Sequence, residues 1–197
     1  MSKLGKENLK GKILFFSPNE DGISYFTDSL IYICDHNQLG SLGLIFNRPL
    51  DLELDELFNG MKIIGAKKLE RKAFLGGPVN PGAIFILHSP DKYWPNTLKV
   101  SENVFMSTDY DAIEAIACGK GPKNYILTLG YTGWGPDQLN QEIAENAWVS
   151  FDESAELINC IINGVNHAVR KESISSSFFI VINWKHYQFP IDDILLT

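Results

Sequence analysis

The chain has 197 residues, with 17 Lys and Arg against 24 Asp and Glu, for a net charge of −7. At roughly 100–200 residues per domain this favours one domain, long enough to bury a core without a metal or disulfide staple. Its 45% hydrophobic and 21% charged content excludes wholesale disorder and fibrous repeats. The acidic balance argues against direct DNA binding, which rests on Lys and Arg neutralising phosphates.

Residues 1–10 read as a loose polar lead-in. Residues 13–16 form a short buried strand stopped by Ser17-Pro18, since proline restricts its neighbour and lacks a donor. Residues 30–34 and 42–46 are two further strands, with residues 35–40 as the hairpin connection. Residues 51–58 place Leu54, Leu57 and Phe58 on one helical face. The basic stretch at Lys67, Lys68, Arg71 and Lys72 reads as a solvated loop.

Residues 72–75 and 83–87 are strands separated by Gly76-Gly77-Pro78-Val79-Asn80-Pro81-Gly82, and residues 104–107 are another. Ser107, Thr108 and Asp109 can each accept from free N–H groups at a helix start. Ala112, Ile113, Ile116 and Ala117 mark that helix's buried face, and Gly119 suits the position just past its end. Residues 125–129 are a strand running into a loop at 130–135, and Pro136 then opens a helix at 136–146. Residues 147–151 return as a strand. Leu157, Ile158, Ile161, Ile162, Val165 and Val169 recur at helical spacing around an unfavourable Gly164, and a strand follows at 178–182. Strands outnumber helices and cluster as hairpins, which predicts an α+β single domain with a mixed or largely antiparallel sheet flanked by helices.

Cys34, Cys118 and Cys160 are widely spaced and form no Cys-x-x-Cys pair, so a reducing, cytoplasmic compartment is expected. The longest apolar runs reach five residues, against the roughly 20 that a membrane span requires. No metal-ligand spacing and no P-loop is present, so neither a metal nor a cofactor is expected.

Several residues carry candidate chemistry. Cys34 and His36 share a face if the strand continues, and an imidazolium there would favour a reactive thiolate. The alternative is a buried core cysteine with His36 satisfied in a turn. Arg48, after Asn47, can offer a planar fork to an anionic group, or it can pair with Asp51 and anchor the turn. Gly76 and Gly77 permit close backbone approach by a ligand, although they also suit an ordinary tight turn. His88 follows a strand near an expected sheet edge. Between Gly130 and Gly135, Tyr131 and Trp134 can wall a binding loop at a helix N-terminus or simply roof the core. Gln138 and Glu142, four apart, share a helix face.

The blocks Ser29-Leu30-Ile31-Tyr32-Ile33-Cys34-Asp35-His36, Gly43-Leu44-Ile45-Phe46-Asn47-Arg48-Pro49, Phe74-Leu75-Gly76-Gly77-Pro78-Val79, Leu87-His88-Ser89, Gly119-Lys120-Gly121-Pro122 and Leu129-Gly130-Tyr131-Thr132-Gly133-Trp134 occur in one order, followed by Gln138-Leu139 and residues 142–148. Together they resemble the AlgH/YqgE family of bacterial proteins, over residues 11–151. The resemblance implies an α+β fold with coiled, mixed sheets, and a role in transcriptional regulation without an assigned activity. Asp35 stands where the family usually has Glu, Thr132 where it has Ala, and Asn140 where it has Glu. Beyond residue 157 the pattern fades, leaving residues 157–197 as a divergent element.

These observations favour a regulatory protein that binds a small polar or anionic ligand through Arg48 and the 130–135 segment, or senses redox state through Cys34. The alternatives are an enzyme using Cys34, His88 or Glu142, and a protein-interaction module acting on transcription through a partner.

Overall fold

Short runs of β-branched and aromatic residues, separated by Gly, Pro and Asn, set a strand-rich chain. The structure, a computed structural model, describes residues 8–16 and 24–153. In chain order its elements are β1 (Ile13–Phe16), β2 (Leu30–Asn37), β3 (Gly40–Ile45), β4 (Pro49–Glu53), α1 (Leu54–Gly60), β5 (Lys72–Leu75) and β6 (Val79–His88). Then come β7 (Leu98–Lys99), β8 (Phe105–Ser107), α2 (Tyr110–Ala117), β9 (Tyr125–Trp134), α3 (Gln138–Ala144) and β10 (Trp148–Phe151). The helix and strand expected at 157–169 and 178–182, and Cys160, lie outside the described residues.

The strands run β10-β1-β2-β3-β9-β6-β8-β7 across the sheet, with β5 beside β9 and β4 beside β5. Among the described residues β5–β9 is the one parallel pairing, so the α+β, largely antiparallel expectation holds. The fold turns on β9. Its first half lies between β5 and β6, with Thr128 opposite both Phe74 and Phe85. Its second half pairs with β3 instead, Gly43 with Thr132 and Ser41 with Trp134.

Gly130 is the corner between those halves, at φ +72°. A Cβ there would sit 2.5 Å from the Gly77 carbonyl oxygen, so the corner requires glycine. This overturns the loop expected at 130–135. Glycine-rich composition suggested a loop, but flanking strands on both sides hold those residues in the ladder.

Two apolar clusters fix the helices. Leu54 and Phe58 of α1 and Ala112, Ile113 and Ile116 of α2 pack on Ile86 and Leu127. Leu139 of α3 packs with Ile31, Ile33, Trp134 and Trp148 on one face of the β1–β2–β3 half. α2 ends as its sequence dictates: Gly119 adopts φ +71°, its N–H donates to Ile116 O, and that of Lys120 donates to Ala115 O.

Other expectations are corrected. The helix read at 51–58 begins only at Leu54, because Leu50 and Leu52 alternate inward and make Pro49–Glu53 a strand. The connection between β2 and β3 shortens to Gln38 and Leu39. Asp109 precedes α2 but leaves its N–H groups uncapped, since its carboxylate accepts from Asn96 N and Nδ2. Pro136 lies before α3, which starts after the left-handed Asp137. The basic stretch is not wholly free: Lys72 pairs with Asp51 at 2.9 Å, and Arg71 stacks 4.3 Å from the Tyr125 ring.

Candidate functional site

β2 does not alternate evenly. Ile33 pairs with Gly43 and Asp35 with Leu42, so Cys34 is the extra residue of a β-bulge. The bulge breaks the two-residue relation between Cys34 and His36. Cys34 is fully buried and its Sγ donates to Tyr32 O. Burial pushes the thiol well above its ordinary range, so it stays protonated and shielded from solvent at neutral pH. His36 turns instead to Ser41, with Nδ1 and Oγ 2.7 Å apart.

Beyond the bulge, paired residues share a face. Asp35, Leu42 and Gly133 form one row across β2, β3 and β9. Asn37 and Tyr131 fall on the same side, each two residues along from a member of that row. Gly133 leaves a gap that the Tyr131 ring borders, since a Cβ there would lie 3.2 Å from Tyr131 Cε2. The result is an open groove of about 290 Å³ that these five residues line with Leu39 and Gly40. Ser41 and Trp134 border it too, but their side chains engage His36 and Glu142. Of the residues singled out in the sequence, the groove gathers Tyr131 and Trp134.

Glu142 binds three N–H donors. Trp134 Nε1 at 2.9 Å and Trp148 Nε1 at 2.6 Å both donate to Oε2. Gln138 Nε2 donates to Oε1 at 2.8 Å, while Gln138 Oε1 accepts from Gly135 N. Glu142 therefore ties α3 to β9 and β10 beneath edge-on contacts among Trp134, Trp148 and Phe16.

His88 is interior, not at a sheet edge, because β6 lies between β8 and β9. It is fully buried, and its hydrogen bonds have one consistent direction. Nδ1 faces the Ser89 carbonyl at 2.8 Å, which can only accept, so Nδ1 carries the proton. Nε2 then accepts from Ser107 Oγ at 2.9 Å. Ser107 accepts from Thr97 Oγ1 at 2.6 Å, and Thr97 accepts from Trp94 N. Desolvation holds the imidazole below its ordinary pKa, against smaller upward pulls from the Ser89 carbonyl and Asp91. A serine oxygen against a neutral imidazole is the arrangement of a nucleophile and its base, but no solvent reaches Ser107.

Asn47 braces the chain end of β3: Oδ1 accepts from Leu30 N and Nδ2 donates to Asp28 O. Arg48 Nη1 donates to Tyr25 O at 2.7 Å, and the guanidinium lies 5.5 Å from the Tyr25 ring. Asp51 pairs with Lys72 instead of Arg48. Arg48 lines no part of the groove. Gly76 and Gly77 do admit close approach, but by β9: added Cβ atoms would lie 2.1 Å from Gly130 O and 2.2 Å from the Tyr131 carbonyl carbon.

Sequence reasoning missed Asp35, Asn37, Leu42 and Gly133 as a group, because the bulge that sets their face has no local signature. It also missed Thr97 and Ser107, which only the β6–β8 pairing brings to His88. Among the described residues no group of three or more His, Cys, Asp or Glu is placed to hold a metal, and no helix is long and apolar enough to cross a membrane.

Among the described residues, a ten-stranded, mostly antiparallel α+β fold with an open groove defines a class before any relative is considered. The family described as AlgH-like matches residues 14–165, and the chain belongs to it. A UPF0301 protein of Shewanella frigidimarina is 36% identical over 156 residues, 77% of this chain and 83% of its own. One from Thioalkalivibrio sulfidiphilus is 40% identical over 152 residues, 77% of this chain and 81% of its own. The solution structure of AlgH from Pseudomonas aeruginosa aligns at TM-score 0.67 with 31% identity, covering 80% of this chain and 84% of that one. A crystal structure of a Corynebacterium diphtheriae protein, 19% identical, shares the fold at TM-score 0.62 over 80% of this chain and 81% of its own.

Proposed function

We propose that this protein is a regulatory binding protein whose groove between the β2–β3 hairpin and β9 takes a small polar ligand. The observation that carries the reading is the groove itself: a depression of about 290 Å³ where Asp35 and Asn37 face the Tyr131 ring across Leu42 and Gly133. Rigid strands present polar groups beside an aromatic wall, the usual composition of a small-ligand site. The burial of Cys34, the closed network of His88 and the three donors on Glu142 weigh against the redox and catalytic alternatives. A net charge of −7 weighs against direct contact with DNA.

The test is native mass spectrometry of freshly purified protein beside its denatured mass. A mass excess lost on denaturation, and absent from a Gly133→Phe variant that melts normally, is the expected outcome. An excess that persists in that variant and disappears in Arg48→Ala would move the site to the end of β3 and make the ligand anionic. An excess that survives denaturation and maps to Cys34 would overturn the reading in favour of a modified thiol.

A second reading rests on Leu39, which is 85% exposed at the hairpin tip beside the groove. It is a protein-interaction module using that tip. A partner captured by the wild type and lost with Leu39→Asp, but indifferent to Gly133→Phe, would favour it.

A further inference from the structure

We infer that the groove selects a small organic cation: a primary ammonium on a short apolar or aromatic stem. This deepens the binding reading above and rests on it. The charged end is assigned by Asp35. Its Oδ2 accepts from Asn37 Nδ2 at 2.9 Å, which fixes the carboxylate's orientation. Its Oδ1 has no partner among the described residues, and no lysine or arginine among them pairs with Asp35. Asn37 Oδ1 already accepts from Leu39 N at 2.7 Å, and as a neutral amide it offers an ammonium a weaker acceptor than the Asp35 carboxylate.

The apolar end is assigned by the other side of the same row. Gly133 lies two strand spacings from Asp35, roughly 10 Å, with Leu42 between them. The Tyr131 ring borders the gap at Gly133, where it offers apolar contact to the body of a ligand. A stem of two or three carbons laid over Leu42 brings an ammonium to Asp35 while its body rests against Tyr131. An anion there would meet a carboxylate and find no cationic side chain lining the groove. The chain's net charge of −7 acts in the same direction, attracting cations to the surface.

Three probes with one body and three charges isolate the inference: phenethylammonium, phenethyl alcohol and phenylacetate. Each is titrated into isotopically labelled protein while the backbone amide signals of Gly40, Leu42 and Gly133 are followed by two-dimensional NMR. Phenethylammonium is expected to move these signals saturably. The alcohol should bind at least fivefold more weakly and phenylacetate more weakly still. Asp35→Asn keeps an acceptor for Asn37 and should melt as the wild type does, yet lose at least fivefold in affinity for the ammonium. If the alcohol matches the ammonium, or Asp35→Asn binds as well as the wild type, the cation inference falls and the groove remains a binding site. If none of the three moves those signals, the groove reading falls with it.

Discussion

His88 and Asp35 are both ionisable side chains set beside hydroxyl or amide groups, yet only His88 stood out in the sequence. Around His88 every donor has an acceptor: Trp94 N–H, Thr97, Ser107, the imidazole and the Ser89 carbonyl form one directed chain out of solvent. Around Asp35 the chain of bonds stops one atom short, leaving an oxygen open in a groove. The difference teaches that residue type does not mark a site. Unfilled hydrogen-bonding capacity on a surface does, because a filled network resists rearrangement whereas an open acceptor exchanges only water when a ligand arrives.

The comparison can be broken where the closed networks are cut. Glu142→Ala removes the acceptor of two indole N–H groups and one amide, and is expected to destabilise the fold by about 3 kcal/mol in urea titration. A loss below about 0.5 kcal/mol would show that water replaces the carboxylate freely. His88→Ala should cost about 2 kcal/mol, from the stranded Ser107 hydroxyl and the cavity together.

The pH dependence sharpens the contrast. His88 has a lowered folded pKa, against an ordinary value of 6.5. The unfolded chain therefore takes up the proton first, and the stability contributed by neutral His88 is complete above about pH 6.5 and declines as pH falls below it. Melting temperature should drop more steeply below that point in the wild type than in His88→Gln. Equal slopes would mean that another group carries the acid sensitivity. The smallest effect is expected at the open site. Asp35→Asn and Leu39→Ala should each leave stability within about 0.5 kcal/mol, so a large loss in either would reveal a structural role for the groove.

The parts of the fold legible in the sequence are those decided locally. Residues 13–16 and 72–75 appear as strands with the expected bounds, because Ser17-Pro18 follows the first and Gly76-Gly77-Pro78 the second. The end of α2 was legible because Gly119 is the residue that a left-handed helix stop requires. Residues 130–134 were not, since three glycines in six residues read as a loop, and only β3 and β6, distant in sequence, hold them extended. The site was legible in half. Tyr131 and Trp134 drew attention together, but three residues apart on a strand they face opposite sides. One borders the groove and the other joins the core around Leu139. The partners on β2 stayed hidden because a bulge at Cys34 decides which way Asp35 faces.

The shared strand has a consequence for how the molecule is made. β9 supplies partners to β3, β5 and β6, yet it comes late in the chain, at Tyr125–Trp134. On the ribosome the β2–β3 hairpin can form early from neighbouring residues, whereas β5 and β6 must wait for the strand that lies between them. Such non-local closure is slow. A nascent chain halted before residue 125 would expose the unpaired edges of β3, β5 and β6 together, so the interval before β9 emerges is when this protein is most open to aggregation.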